Sequence, residues 1–293
     1  MLIMNDSKKR PLAPDNSFAP PSWCRICAAV LVFLPPAYGA PAATQVWIPG
    51  SIEWSTDPAV LSWDTPPADG IGEAWGNGND AIFDFGAGIV EVQAGGVEAG
   101  SLTFLRGATI EGSSLILVSP EDLVRIETAA GTLATFNTSI DGNAGLLIGQ
   151  FGPDPGISSG RIVLRGNNSF NGETVISQNA WLGIESDTAL GSVEGGTTVE
   201  PGSTLALGDQ IEINEALTIS GFGTTESYGA IHMNSGLSST LNGTITLGDD
   251  ASMGAAGELT LNGVTDISDV TLTLNALPGG TITQQAGITG NGG

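Results

Sequence analysis

Past residue 42 this chain of 293 residues has no cysteine, no lysine and a single histidine, His232. Both cysteines, Cys24 and Cys27, stand at C-x-x-C spacing within the first 42 residues, where a zinc or redox site would lack further ligands and a folded context. The remainder can form no disulfide, so its stability has to come from packing and backbone pairing. One histidine excludes a His-rich metal site. The apolar run Ile26–Leu34 is too short to span a membrane, which takes about 20 residues. No later window repeats apolar residues at helical spacing, which argues against a helical bundle.

Residues 1–42 read as an export leader, a signal peptide. Lys8, Lys9, Arg10 and Arg25 precede or enter the apolar run, Pro35-Pro36 ends it, and Ala40-Pro41-Ala42 offers a small-x-small cleavage site, with Ala37-Tyr38-Gly39 as a second. An uncleaved N-terminal anchor is the alternative. The leader takes four of the eight basic residues and two of the 31 acidic ones, so residues 43–293 keep four arginines against 29 carboxylates, a net charge of −25. Nucleic acid is excluded as a partner, because its binding rests on basic groups neutralising phosphate. The bland reading of this acidity is a solvated exterior that resists association.

What the chain does have is glycine, 43 of them without a collagen period, and Val, Ile, Leu and Thr in runs of three to five residues. Strand candidates recur from Ala81–Phe85 to Val270–Leu274, separated by Gly, Asn, Asp or Pro-Gly. This spacing fits a sandwich or a solenoid, and weak self-similarity favours the solenoid. Thr204–Gly208 (TLALG) is echoed by Thr244–Gly248 (TITLG), and Leu241-Asn242-Gly243 by Leu261-Asn262-Gly263, at intervals of 40 and 20 residues. Coils of about 20–25 residues predict ten to twelve of them, each burying its apolar face on its neighbours. Trp47, Trp54, Trp63 and Trp75 read as an N-terminal cap plugging the first open coil, in preference to an aromatic platform for sugars.

The most specific stretch is residues 160–192, GRIVLRGNNSFNGETVISQNAWLGIESDTALGS. Strands Arg161–Leu164 and Glu173–Ile176 flank a polar turn, Gly166 to Gly172, and Ala180–Ile184 follows. Leu164, Gly166, Asn167, Asn168, Phe170, Gly172, Thr174, Leu182, Leu190 and Gly191 resemble the autotransporter-associated β-strand repeat, a unit of secreted passenger proteins. The Trp-rich opening followed by Asp80–Phe83 and Gly100–Phe104 is similar to such passengers too. The resemblance implies a secreted or cell-surface protein, outer-membrane-associated or extracellular, used as a stalk, adhesin or envelope structure. It gives these residues structural roles. No alternating ten-residue barrel strands follow, so the chain resembles the passenger portion only, a fragment or truncated reading frame.

Catalytic constellations are thin. His232 sits in a strand-like run and reads as a solvent-facing residue, with no G-x-S-x-G elbow to complete a triad. Asp249/Asp250, in an apparent turn, and Glu185/Asp187 are the carboxylates a polysaccharide-cleaving β-helix enzyme would use, though solvated acids are their default reading. Trp181 reads as packing. Residues 76–82 match most of one calcium-binding nonapeptide, but such repeats act only in tandem. The expectation is therefore an all-β chain: a right-handed parallel β-helix over residues 80–293, an irregular cap over 43–79, no catalytic, metal or cofactor site, and room for weak calcium binding. The function expected is non-enzymatic, structural or adhesive, towards an unknown surface ligand, glycan or protein. A secreted polysaccharide-active enzyme and a truncated fragment are the alternatives.

Overall fold

The computed structural model describes residues 42–67, 71–84, 86, 88–152 and 159–290; residues 1–41 of the expected leader lie outside them. Every regular element described is a β-strand, and the strands stack in parallel as a solenoid with three faces. The first face carries Thr44–Trp47, Asp80–Phe83, Leu102–Phe104, Leu123–Ala129, Gly145–Phe151, Thr174–Ile176, Thr197–Val199, Leu217–Gly221, the start of Ile245–Ala255, Thr265–Asp266 and Ile288–Thr289. The second carries Glu53–Trp54, Gly88–Val92, Ala108–Gly112, Leu133–Phe136, Gly160–Leu164, Ala180–Ile184, Thr204–Leu207, Ile231–Met233, the end of Ile245–Ala255 and Leu272–Ala276. The third is interrupted: Val97–Ala99, Leu115–Leu117 and Ile140–Gly142 form one ladder, and Ile211–Ile213, Ser238–Leu241, Glu258–Leu261 and Thr281–Gln284 another.

Alternation within strands sends every second side chain inward, and in-register pairing lines those residues up from turn to turn. Ala81, Leu102, Ile126, Ile148, Ile176, Val199, Ile219 and Leu247 form one buried column. Val90, Ile110, Phe136, Leu164, Ile184, Leu207, Met233 and Ala255 form its counterpart on the second face. Steps along the first column vary from 20 residues (Val199 to Ile219) to 28 (Ile148 to Ile176). The chain accordingly makes about nine turns, fewer than the ten to twelve expected, because the longer turns spend residues on excursions outside the ladder.

The Trp-rich segment is both cap and first rung. Thr44–Trp47 pairs in parallel with Asp80–Phe83, and Glu53–Trp54 with Gly88–Val92, so the ladder starts ahead of the residue-80 boundary read from sequence. On its other side Thr44–Trp47 pairs antiparallel with Trp63–Asp64, which covers a strand edge that would otherwise template association. Trp47, Trp54 and Trp63 are fully buried, and Trp63 lies 4.5 Å from Trp75 and 5.0 Å from Trp47, ring centre to ring centre. Phe83 stacks on Phe104 at 4.6 Å and passes this aromatic plug into the aliphatic core.

Between Leu164 and Thr174 the chain crosses the third side without forming a strand, and side chains replace the missing ladder. Buried Asn168 accepts a hydrogen bond from Ile140 N (2.8 Å) and donates Nδ2–H to Ala189 O (2.6 Å), tying together the turns before and after its own. Further along, Asn242 Nδ2 donates to Asn214 Oδ1 (2.9 Å) and Asn262 Nδ2 donates to Asn242 Oδ1 (2.8 Å). The Asn-Gly echo in the sequence is this ladder.

Candidate functional site

The residues of the 160–192 motif come together as one three-sided turn. Its two flanking strands do not pair with each other as a hairpin would. Gly160–Leu164 lies on the second face against Leu133–Phe136, and Thr174–Ile176 on the first against Gly145–Phe151. The polar segment between them is the third side of the coil. Leu164, Leu182 and Phe170 are fully buried, as is Thr174, and Leu190 is 3% exposed. Asn167 Oδ1 accepts from Ser186 Oγ at 2.8 Å. A β-carbon at Gly166 would overlap the Thr138 carbonyl oxygen, and one at Gly172 the Gly145 nitrogen. Gly191 takes φ +83° tight against Phe170, a position no L side chain adopts without strain.

The chemistry nominated from sequence is absorbed elsewhere. Glu185 pairs with Arg165 through Nε (2.8 Å) and Nη2 (3.2 Å), and Asp187 Oδ1 accepts from Glu212 N at 2.8 Å. Asp249 and Asp250 do not form a separate turn; they bend the eleven-residue strand Ile245–Ala255 from the first face to the second. Asn77 Oδ1 accepts from Glu98 N and Asp80 Oδ1 from Ser101 Oγ, with burial holding the Asp80 carboxyl above its usual range. Among the described residues no three His, Cys, Asp or Glu side chains gather as a metal centre.

His232 is a correction. It was expected to face solvent, yet it is 6% exposed. The reason is the excursion between Leu217–Gly221 and Ile231–Met233, which folds over the outer surface of the second face. Tyr228 stacks on the imidazole at 5.6 Å, its backbone N–H points at Nδ1 (3.4 Å), and Nε2 faces Asn234 Oδ1 (3.1 Å). Burial lowers the pKa of His232, against the opposing Asn234 contact and with a smaller push from Arg161. Small residues make room: Tyr228 covers Gly254, and the Trp181 indole lies over Gly183. Arg161 bridges to Glu226 at 2.9 Å and sits 5.0 Å from the centre of the Trp181 ring. Trp181 therefore packs, but on the outer wall.

One feature with binding geometry was not read from the sequence. A groove of about 670 Å³ follows the corner between first and second faces, lined by Arg125, Glu127, Gln150, Gln178, Asn179 and Pro201-Gly202 among others. Arg125 Nη1 donates to Glu127 Oε1 at 2.8 Å on one wall, with the arginine half exposed. Gln178 and Asn179, at φ 53° and 60°, form a tight reversal closed by Ala180 N donating to Ser177 O (3.0 Å). A non-glycine residue rarely takes that region, and holding two in succession requires the surrounding turns to enforce it. Gln150 is 3% exposed, and its Oε1 accepts from Gly160 N (2.9 Å) and faces Asn179 Nδ2 (3.5 Å). Among the described residues its Nε2, which is shut off from solvent, has no partner. Pro201-Gly202 also line a second, smaller depression of about 460 Å³ with Phe222, Asp249 and Asp250, so the two run on along the corner. The lining residues stand about 25 positions apart on successive turns, a spacing no local motif reports.

No protein-family model matches the chain, and neither a curated protein nor a solved structure matches it significantly.

Proposed function

We propose that this chain is an exported, non-enzymatic β-solenoid of the autotransporter-passenger kind, displayed at the cell surface as a structural or adhesive element. The observation that carries the reading is the separation of acids along the corner groove. Among the described residues Glu127 is the one carboxylate lining the larger groove, and Asp249 and Asp250 lie about five layers further on, roughly 24 Å at strand spacing. Glycoside cleavage places two carboxyls about 5–10 Å apart across one bond. The other acids weighed for catalysis are engaged in joining one turn to the next. What remains is a stiff scaffold with a polar groove, which suits presentation and binding.

The export half of the reading rests on the leader. Expression of the full chain in a Gram-negative host, followed by fractionation and N-terminal sequencing, tests it. A processed chain starting near residue 43 in the periplasm or on the surface is the expected result. Full-length protein retained in the cytoplasm overturns it. Release of reducing ends from polysaccharides by the purified chain would overturn the non-enzymatic half.

A further inference from the structure

We infer that Asn171-Gly172, on the strandless third side of the 160–192 turn, is a site of spontaneous deamidation and isoaspartate formation. The other Asn-Gly pairs of the described residues, Asn77-Gly78, Asn242-Gly243 and Asn262-Gly263, are shielded by hydrogen bonds to neighbouring turns. The chemistry needs no reactant beyond water. Gly172 N attacks Asn171 Cγ, the Cγ–Nδ2 bond breaks, and Nδ2 leaves as ammonia with the Gly172 N–H proton, closing a succinimide ring. Water then adds across one of the two imide bonds. Opening at Cγ gives aspartate. Opening at the main-chain carbonyl carbon gives isoaspartate, whose backbone runs through the β-carbon. A following glycine favours ring closure, since no β-carbon crowds the attacking nitrogen.

The solenoid requires this labile pairing of residues. A β-carbon at Gly172 would overlap Gly145 N, and one at Gly243 or Gly263 the carbonyl oxygen of Glu215 or of Gly243. Asparagine precedes each glycine because its amide reaches an asparagine of the turn before: Asn143, Asn214 or Asn242. What differs is the hold on the attacking nitrogen. Ile213 O accepts from both Asn242 N (2.7 Å) and Gly243 N (3.4 Å), and Leu241 O from both Asn262 N (2.8 Å) and Gly263 N (3.3 Å). Gly78 N donates to Glu98 O at 2.9 Å, while Asn77 Oδ1 accepts from Glu98 N at 3.0 Å. Each of these glycine nitrogens must release a protein carbonyl before it can lose its proton and turn toward Cγ. At the corresponding carbonyl below Asn171, Gly142 O accepts from Asn171 N alone, at 3.2 Å, and among the described residues Gly172 N has no partner. The Asn171 amide is also held least closely, donating to Asn143 Oδ1 at 3.3 Å against 2.9 Å for Asn242 and 2.8 Å for Asn262. Its side chain is exposed, so water reaches the ring once formed. Isoaspartate sets a methylene into the main chain beside Gly172, where there is no room even for a β-carbon. The turn then has to lift away from Gly145, and the adjacent buried Phe170 is drawn from the core.

Ageing of the full chain at pH 8, folded and in parallel in concentrated urea, tests this. Each Asn-Gly pair is followed by peptide mapping in a mass spectrometer, and isoaspartate by enzymatic methyl transfer. The rate of each pair in urea is its own unprotected reference. Folding is expected to slow Asn77, Asn242 and Asn262 by about tenfold or more, as one net hydrogen bond allows, and Asn171 by less than about threefold. Thermal melts of the aged parent should develop a second, less stable population. The Asn171→Gln chain, which keeps an amide but closes the larger ring far more slowly, should lack it. Slowing of Asn171 equal to that of Asn242, or faster loss at any of the other three pairs in the folded chain, overturns the proposal. Both outcomes are read from the parent chain alone, so they stand whether or not the variant folds. Isoaspartate at position 171 with an unchanged melt overturns the consequence drawn for Phe170.

Discussion

Thr197 Oγ1 donates a hydrogen bond to Glu215 Oε1 across 2.6 Å, inside the wall of the solenoid. Glu215 is 4% exposed, and burial raises its pKa from 4.5 to about 7, only partly offset by the Thr197 hydrogen bond. The folded state therefore prefers the protonated acid. Its contribution is complete below the unfolded pKa of 4.5 and fades as pH rises through about 7, by roughly 3 kcal/mol across the window. Glu215→Gln keeps an acceptor for Thr197 without a charge. Denaturant midpoints at pH 5 and pH 8 should show the variant more stable than the parent at pH 8 and close to it at pH 5. An unchanged difference between the two pH values would mean the carboxyl is solvated.

Phe170 is fully buried in a turn whose third side has no strand, so its ring and the Asn168 clamp fill the place of a ladder. Phe170→Ala should cost about 3–5 kcal/mol, in the range of large core truncations. Asn168→Ala leaves the Ile140 N–H without its acceptor and should cost about 1–3 kcal/mol. Urea unfolding of each variant checks both. Losses below about 1 kcal/mol would show that this side of the coil is held by its flanking strands.

Most of the fold was legible because period-two alternation and recurrent short runs leave few architectures open. Leu205 and Leu207, or Ile245 and Leu247, announce an inward-facing strand wherever they occur. Of the two echoes that favoured a solenoid over a sandwich, Leu241-Asn242-Gly243 with Leu261-Asn262-Gly263 is the asparagine ladder itself, whereas Thr204–Leu207 lies on the second face and Ile245–Leu247 on the first. Strand pairing within residues 160–192 was not legible, since strand–turn–strand reads the same for a hairpin and for two faces of a coil. Neither was the burial of His232, because its cover comes from an excursion whose path the local pattern around Ile231–Met233 does not encode. The groove escaped for a related reason: Arg125, Gln150 and Gln178 meet only because turn lengths bring them to one corner.

Asn242 is bonded on both sides, donating to Asn214 and accepting from Asn262, whereas Asn262 makes only the bond toward Asn242 within this ladder. Each such bond is worth about 0.5–1.5 kcal/mol net. Asn242→Ala should therefore destabilise by about twice as much as Asn262→Ala. Asn242→Asp, which sets a carboxylate oxygen against the Asn214 carbonyl oxygen, should cost at least as much as the alanine. Equal losses at 242 and 262 in thermal melts would mean the amides are independent surface groups.

Tyr228 N–H points at His232 Nδ1 while Nε2 faces Asn234 Oδ1, an arrangement that requires the neutral imidazole with its hydrogen on Nε2. Protonation places a second hydrogen on Nδ1, facing the Tyr228 N–H, in a pocket that already lowers the pKa by burial. The groups around the ring are Tyr228, Asn234, Arg161 and, through its bridge to Arg161, Glu226. A depressed folded pKa means that the stabilisation is present above the unfolded value of 6.5 and is lost as pH falls through the folded one. Amides between Gly221 and Ile231 should then exchange faster at pH 5 than at pH 8, after correction for intrinsic rates, while those of Thr204–Leu207 beneath stay protected. In His232→Gln, which has no proton to gain, the difference between the two pH values should vanish. A loop equally protected at both values in the parent chain would show that the Arg161–Glu226 bridge alone holds it down.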